Sequence, residues 1–259
     1  MKVQIFSDIH LEYYSKIPQI EPLSEYLILA GDIGYIDSNI YKDFIKYVSK
    51  NWKNVFLVIG NHEYYHDTKS YSQINKELRI FLKNFSNVIL LDREIFLIDD
   101  IMIIGCTFWS NIDVHVVDYI NDFNYIKMFN SDNQLVKLTL KEYQKFHQEE
   151  KTFLMNSFLK EYHNIIIITH YPLIQKNTSH PKYNNDPIWI KNYFSTNFDF
   201  NQINNNNNKI ICISGHTHYS FDFIENNIRY ISNQFGYKNE IKNSKLKIDG
   251  VFELFSTDL

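Results

Sequence analysis

The sequence predicts an α/β layered fold, and three observations carry that expectation. Short apolar runs rich in β-branched residues recur along the chain, helical patterns separate them in the first half, and most runs stop abruptly at Asp, His or Asn. A run that is apolar on successive positions is how a strand buried on both faces reads. Alternation of such strands with helices implies layers of helix on sheet. In chain order, the first strands are Val3 to Phe6 and Tyr26 to Ala30. Ile40, Phe44, Tyr47, Val48 and Trp52 then share one helical face. Val55 to Ile59 is the third strand, followed by a helix carrying Ile74, Leu78, Phe81, Leu82 and Phe85. Val88 to Leu91, Ile95 to Ile98 and Ile101 to Gly105 are further strands, the last two a hairpin turned at Asp99-Asp100. Residues 111–134 are irregular and aromatic-rich, either a lid or a packed connection. A long helical pattern takes in Leu135, Leu138, Tyr143, Phe146, Phe153, Leu154, Phe158 and Tyr162. Ile165 to Ile168 and Ile210 to Ile213 are two more buried strands, and the run Asn204 to Asn208 before the second reads as a surface loop. Strands near 221–224, 229–232 and 250–255 complete a strand-rich second half. No repeat or linker divides the chain, so residues 1–259 are expected to form a single domain.

Composition narrows the function classes. With a net charge of −4, the chain lacks the basic excess of a duplex-binding protein, so no stable nucleic-acid partner is expected. Cys106 and Cys212 both sit inside apolar runs and read as reduced core residues. The N-terminus enters a strand directly, with no apolar leader, and no run is long and apolar enough to span a bilayer. A cytoplasmic setting with no membrane partner is the expectation, and nothing in the composition fixes an oligomeric state.

The chemistry stands at the strand ends. After Phe6 comes Ser7-Asp8-Ile9-His10, after Ala30 Gly31-Asp32, and after Ile59 Gly60-Asn61-His62-Glu63. After Ile168 comes Thr169-His170, and after Ile213 Ser214-Gly215-His216-Thr217-His218. In open α/β sheets, sites form outside the carboxyl ends of the strands, so the five clusters can meet at one edge. Imidazole and carboxylate together suit first-row transition metals. Eight candidates (Asp8, His10, Asp32, Asn61, His62, His170, His216 and His218) exceed what one tetrahedral ion needs, which points to two ions sharing a bridging ligand. In Asp8-x-His10 and His216-x-His218, alternation along an extended chain would send both side chains to one side. Gly31, Gly60 and Gly215 would let the backbone approach closely.

This ordered set resembles the signature of the calcineurin-like metallophosphoesterase superfamily, over essentially the whole chain. The resemblance implies a two-sheet β-sandwich flanked by helices, in αββα layers. It implies that Asp8, His10 and His218 hold one divalent metal, that Asn61, His170 and His216 hold the other, and that Asp32 bridges them. Manganese is the first expectation, with iron, zinc and nickel as alternatives. His62 resembles the family's catalytic histidine, which contacts phosphate and protonates the leaving group. A narrower resemblance, to a bacterial "predicted phosphohydrolase" branch, rests on Gly60-Asn61-His62-Glu63-Tyr64-Tyr65, Gly105-Cys106-Thr107-Phe108-Trp109, Asn121-Asp122-Phe123, Ser179-His180-Pro181 and His216-Thr217-His218-Tyr219-Ser220-Phe221-Asp222. Two departures touch substrate contacts: Tyr171 stands where that branch has a second histidine, and Asn233-Gln234-Phe235-Gly236-Tyr237 lacks its arginine.

The expected activity is hydrolysis of a phosphodiester or a small phosphorylated metabolite. Two cations lower the pKa of a bridging water and neutralise the phosphoryl oxygens, and attack by that hydroxide needs an acid on the far side. His62 suits that role if a carboxylate, Asp8 or Glu63, raises its pKa. The rival reading is a catalytically silent interaction scaffold on the same fold. Such proteins lose metal ligands or the Gly-Asn-His histidine, and this chain keeps both. A nuclease would add a basic face, and none is evident. Outside the signature, His66, His115, His147 and His163 read as surface or core histidines. His180 is a candidate substrate contact, and Tyr64, Tyr65 and Trp109 either line the pocket or pack beside it. Arg79, Arg93 and Arg229 fall in no motif, so phosphate would be held by metal and histidine.

Overall fold

The computed structural model describes residues 1–158, 162–202, 208–240 and 245–255. Strands β1 (Lys2–Phe6) and β2 (Tyr26–Ala30) lead to helix α1 (Asn39–Asn51), then β3 (Asn54–Val58), α2 (Tyr71–Leu82) and β4 (Val88–Leu90). The hairpin β5 (Glu94–Ile98) and β6 (Ile101–Cys106) follows, then the short α3 (Asp122–Tyr125), the ribbon β7 (Lys127–Phe129) and β8 (Leu135–Lys137), and the long α4 (Leu140–Ser157). The remainder is β9 (Asn164–Thr169), α5 (Ile188–Phe194), β10 (Lys209–Ile213), β11 (Phe221–Glu225), β12 (Ile228–Ser232) and β13 (Val251–Glu253).

Two mixed sheets form the centre. One runs β13-β1-β2-β3-β4, with β1 to β4 parallel and β13 antiparallel at the edge. The other runs β11-β12-β10-β9-β6-β5, with β12, β10, β9 and β6 parallel and both edge strands antiparallel. The continuous apolar runs follow from this. Val3, Ile5, Ile28, Phe56 and Val58 of the first sheet pack between the sheets against Ile103, Ile166, Ile168, Ile211 and Ile213 of the second. The alternate residues face outward. Phe6, Leu27, Leu29 and Leu57 meet Phe44 and Val48 of α1 and Leu78 of α2, while Ile104, Ile165, Ile167 and Cys212 pack with Leu154 of α4. Both faces of both sheets are therefore covered, as parallel strands require. Cys106 and Cys212 are free and buried.

Two expectations change. Leu135 does not begin the long helix: residues 135–137 pair with β7, and α4 starts behind Thr139. Thr139 and Glu142 form a reciprocal capping box there, which fixes the helix start more firmly than hydrophobic period does. Residues 111–134 are more ordered than their sequence suggests, holding α3 and β7 and burying Ile112, Val116, Ile120, Phe123 and Ile126 in the main core. The expected asparagine loop lies largely outside the described residues. Among the described residues, no helix is long and apolar enough to cross a membrane.

Candidate metal centre

The loops that follow β1, β2, β3, β9 and β10 meet at one edge of the sandwich. Main-chain bonds tie them together: His10 N–H donates to Asp32 O (3.0 Å), Asp8 N–H to Gly31 O (3.0 Å), and Gly215 N–H to His170 O (2.9 Å). Glu63 staples two of them. Its carboxylate accepts from Asp32 N (3.1 Å), Ile33 N (2.7 Å) and Gly60 N (2.8 Å). Burial raises its pKa to about 7, with the Asp32 charge adding to the effect. Glu63 is thus a loop clamp, not the carboxylate that serves His62.

Asp8, His10, Asp32, His216 and His218 all adopt positive φ, between 52° and 72°. Left-handed backbone is sparsely populated for residues with a Cβ and gathers at functional sites. The chain is therefore not extended at Asp8-x-His10 or His216-x-His218, and each pair converges through tight left-handed turns instead. Glycine matters beside the ligands. A Cβ on Gly60 would stand 2.1 Å from Asp32 Oδ1, and one on Gly215 would stand 2.5 Å from Asp8 Oδ2.

The ring nitrogens define the centre. His10 Nδ1 lies 3.1 Å from Glu12 Oε1, and His218 Nδ1 lies 2.5 Å from Glu240 Oε2. Each carboxylate holds the proton on Nδ1, so each Nε2 presents a lone pair. Those two Nε2 atoms face one another at 3.0 Å. His170 repeats the pattern. Its Nδ1 donates to Ala30 O (2.9 Å), and its Nε2 faces Asn61 Oδ1 (3.0 Å) and Asp32 Oδ1 (3.4 Å). Asn61 must present oxygen, because its amide nitrogen donates to Asp122 Oδ1 (2.9 Å) and Tyr65 OH (3.0 Å). Acceptors that face acceptors in a buried site call for a cation between them. His216 adds a buried Nε2 with no hydrogen-bond partner. Burial, reinforced by nearby His170, holds its pKa well below the ordinary value, so it stays neutral and able to ligate.

Among the described residues, potential ligand atoms fall into three overlapping groups: Asp8, His10 and His218; Asp32, His170 and His216; and His10, Asp32 and His62. Asp32, shared by two of them, lies 3.8 Å from His10 Nε2 through Oδ2 while Oδ1 faces His170. The arrangement is consistent with a dinuclear metal site. Burial works against the charged form of His170, but Asp32 outweighs it and raises the pKa to about 9.

His62 stands at the mouth of this cluster. Its Nδ1 lies 3.3 Å from the same Glu12 oxygen that holds His10, and its Nε2 is 3.9 Å from Asp32 Oδ2. Burial opposes protonation, yet Asp32 and Glu12 raise its pKa to about 8. The partner carboxylates are therefore Glu12 and Asp32, where the sequence had suggested Asp8 or Glu63. Glu12 and Glu240 carry no sequence motif that singles them out, and Asp122 lies in the Asn121-Asp122-Phe123 element with no role legible from it. At the two departures in sequence, the Tyr171 ring lies 3.9 Å from that of His216 and tilted to it, and Phe235, at the position of the missing arginine, packs against Phe6 at 5.5 Å. Beside it, Gln234 braces the loop by accepting from His218 N and donating to Thr217 Oγ1 (3.0 Å).

Outside the cluster, His147 is buried against Trp109 O (2.7 Å), and Trp109 and Tyr64 belong to the core. Tyr65 and His180 line a cavity of about 470 Å³ whose floor includes Asp32, Asn61, His62, His216 and His218. The arginines lie elsewhere, in ion pairs with Asp92 and Glu94, with Glu149, and with Asp222.

An α/β sandwich with a buried His/Asp cluster at its strand ends defines a metallophosphoesterase architecture. The chain belongs to the calcineurin-like phosphoesterase family, whose profile matches residues 1–220. It is 34% identical to uncharacterized protein L509 of Acanthamoeba polyphaga mimivirus, covering 92% of this chain and 91% of that protein. The crystal structure of phosphopantetheinyl hydrolase (PptH) from Mycobacterium tuberculosis shares the fold, with a TM-score of 0.67 over 96% of this chain and 94% of that one, at 14% identity.

Proposed function

We propose that this protein is a phosphohydrolase that acts on a phosphodiester or a small phosphorylated metabolite. The observation that carries the reading is the pair of imidazole Nε2 atoms at 3.0 Å, His10 facing His218, with a carboxylate behind each ring. Asp8, His10 and His218 would hold one divalent ion, Asn61, His170 and His216 the other, with Asp32 shared, and manganese is the first ion to try. Such ions, when bound, supply Lewis acidity toward the phosphoryl oxygens and toward a water nucleophile.

The chain's own residues supply the rest. Glu12 fixes His62 with Nδ1 toward the carboxylate and Nε2 toward the cavity. The Asp32 and Glu12 carboxylates favour the protonated form of His62, which can then deliver a proton to a departing alkoxide. Tyr237 OH lies 3.5 Å from His62 Nε2, on the cavity side.

The test is hydrolysis of two nitrophenyl substrates, a phosphodiester and a phosphomonoester, by metal-stripped protein refilled with Mn²⁺, with Asp32→Asn alongside. Activity that returns with metal and is lost in the variant is the expected result, and the faster substrate identifies the ester class. Absence of both turnover and metal binding overturns the reading and leaves an interaction scaffold.

A further inference from the structure

The outer half of the cavity is built unlike its floor. Its walls come from the segment before α3 and from α5 and its approach: Val116, Tyr119, Ile120, Tyr183, Ile190 and Phe194. Large rings are left open here, Tyr119 at 73%, Tyr183 at 42% and Phe194 at 38% of their surface. Contiguous exposed apolar surface at the rim of a polar site marks a binding surface. Tyr119 is supported from behind by Trp189, at 5.1 Å between ring centroids, so the ring is held in place while most of it faces solvent.

Charge narrows the choice of ligand. Among the described residues, and apart from the ligand residues, His62 and His180, the charged side chains lining the cavity are Lys182, Lys191, Asp186 and Glu240, so the two signs balance. Lys191 Nζ already donates to Asn184 O (3.2 Å), and Lys182 Nζ lies over the Tyr183 ring at 4.5 Å. No arginine lines the cavity. A polyphosphate or a nucleic-acid strand would bring several negative charges to walls with no net positive charge. A single phosphoryl group at the floor leaves the rest of the substrate to meet rings and aliphatic side chains. A volume of about 470 Å³ suits a small organic molecule.

We infer that the outer cavity is a stacking site for a flat, uncharged ring, so that the substrate is a monophosphoryl ester bearing an aryl or nucleobase group. The inference rests on the proposed phosphoester chemistry of the floor. A ring held between Tyr119 and its neighbours would gain both buried apolar area and offset or edge-to-face contact.

The test uses two stable phosphonates that differ only in this group, phenylphosphonate and methylphosphonate, titrated calorimetrically into the Mn²⁺-loaded protein beside inorganic phosphate. Phenylphosphonate is expected to bind at least about tenfold more tightly than methylphosphonate, equivalent to about 1.4 kcal/mol. In Tyr119→Ala the ratio should fall to about threefold or less, and Tyr183→Ala should lower it as well. Both rings are solvent-exposed, so loss of fold is not expected, and a melting curve checks it. Equal affinities for the two phosphonates, with phosphate still bound, overturn the ring site and leave the floor intact. A ratio unchanged in both variants also overturns it. Failure of all three anions to bind overturns the phosphoryl site beneath it.

Discussion

Asp122 Oδ1 accepts a hydrogen bond from Asn61 Nδ2 at 2.9 Å, and that contact decides which end of the Asn61 amide faces the centre. The same oxygen accepts from Tyr65 OH at 2.6 Å, while Oδ2 takes Tyr171 OH at 3.3 Å. Asp122 is fully buried and comes from α3, so the segment at 111–134 reaches into the site through one carboxylate. Without it, the amide could turn its nitrogen toward His170, and a nitrogen donor cannot ligate. Asp122→Ala should weaken divalent metal binding about 10–100-fold and leave roughly one ion per chain under limiting metal. Asp122→Asn keeps an oxygen for Asn61 and should hold nearly the full metal content. Metal analysis after dialysis reads both, and a full complement in Asp122→Ala would refute the orienting role.

Glu12 serves two masters with one oxygen, accepting at His10 Nδ1 (3.1 Å) and at His62 Nδ1 (3.3 Å). Its own pKa is lowered to about 2, because the two histidines overcome the effect of burial. The first role supports a ligand and the second orients the proposed acid, so the two neighbouring substitutions should part company. His62→Ala should keep normal metal content while turnover of an alkyl ester falls about 100-fold or more, with a much smaller loss for a nitrophenyl ester. Glu12→Ala should lose both metal affinity and turnover. Rates for His62→Ala that hold with the poor leaving group would remove His62 from the acid role.

Gly60 tests how tightly the centre is built. A Cβ there would meet Asp32 at its carboxylate oxygen (2.1 Å) and at its backbone nitrogen (2.5 Å), so the collision cannot be relieved by side-chain rotation alone. Gly60→Ala should destabilise the fold by about 1–3 kcal/mol and displace the shared carboxylate. A lowered melting temperature together with reduced metal content is the expected pair of results. An unchanged melting temperature would mean that the loop after β3 has room to shift.

The strands were legible because burial on both faces leaves an unbroken apolar run. Ile165 to Ile168 and Tyr26 to Ala30 show it, and both are now seen between two cores. The ligand candidates were legible because each stands directly after such a run. The roles of Glu12, Asp122 and Glu240 were not, for a physical reason. Each acts through another side chain that is distant in sequence, as Asp122 reaches Asn61 over 61 positions, Glu12 reaches His62 over 50 and Glu240 reaches His218 over 22, although Glu12 also meets His10 two positions away. A contact of that kind leaves no local spacing to read. The ribbon at β7 and β8 was hidden for another reason. Its strands are three residues each, too short to separate alternation from helical period.

Glu150 provides a test of stability remote from the metal centre. It lies on α4, fully buried, with Oε2 accepting from Trp109 N at 2.9 Å. Burial raises its pKa from 4.5 to about 8, with the Asp92 charge adding to the effect. A carboxyl raised in the folded state makes the unfolded chain the better proton donor, so it releases its proton first as pH rises. Stability is thus fully present below about pH 4.5 and is lost progressively up to about pH 8. Glu150→Gln keeps an oxygen for Trp109 and removes the ionisation. Relative to the parent, the variant should gain on the order of 2 kcal/mol between about pH 5 and about pH 8. In a chain of this size that is roughly 4–8 °C in melting temperature. Melting curves of both proteins at the two pH values, under the same metal conditions, give the difference directly. A gap that does not widen with pH would mean that Glu150 is ionised in the folded protein.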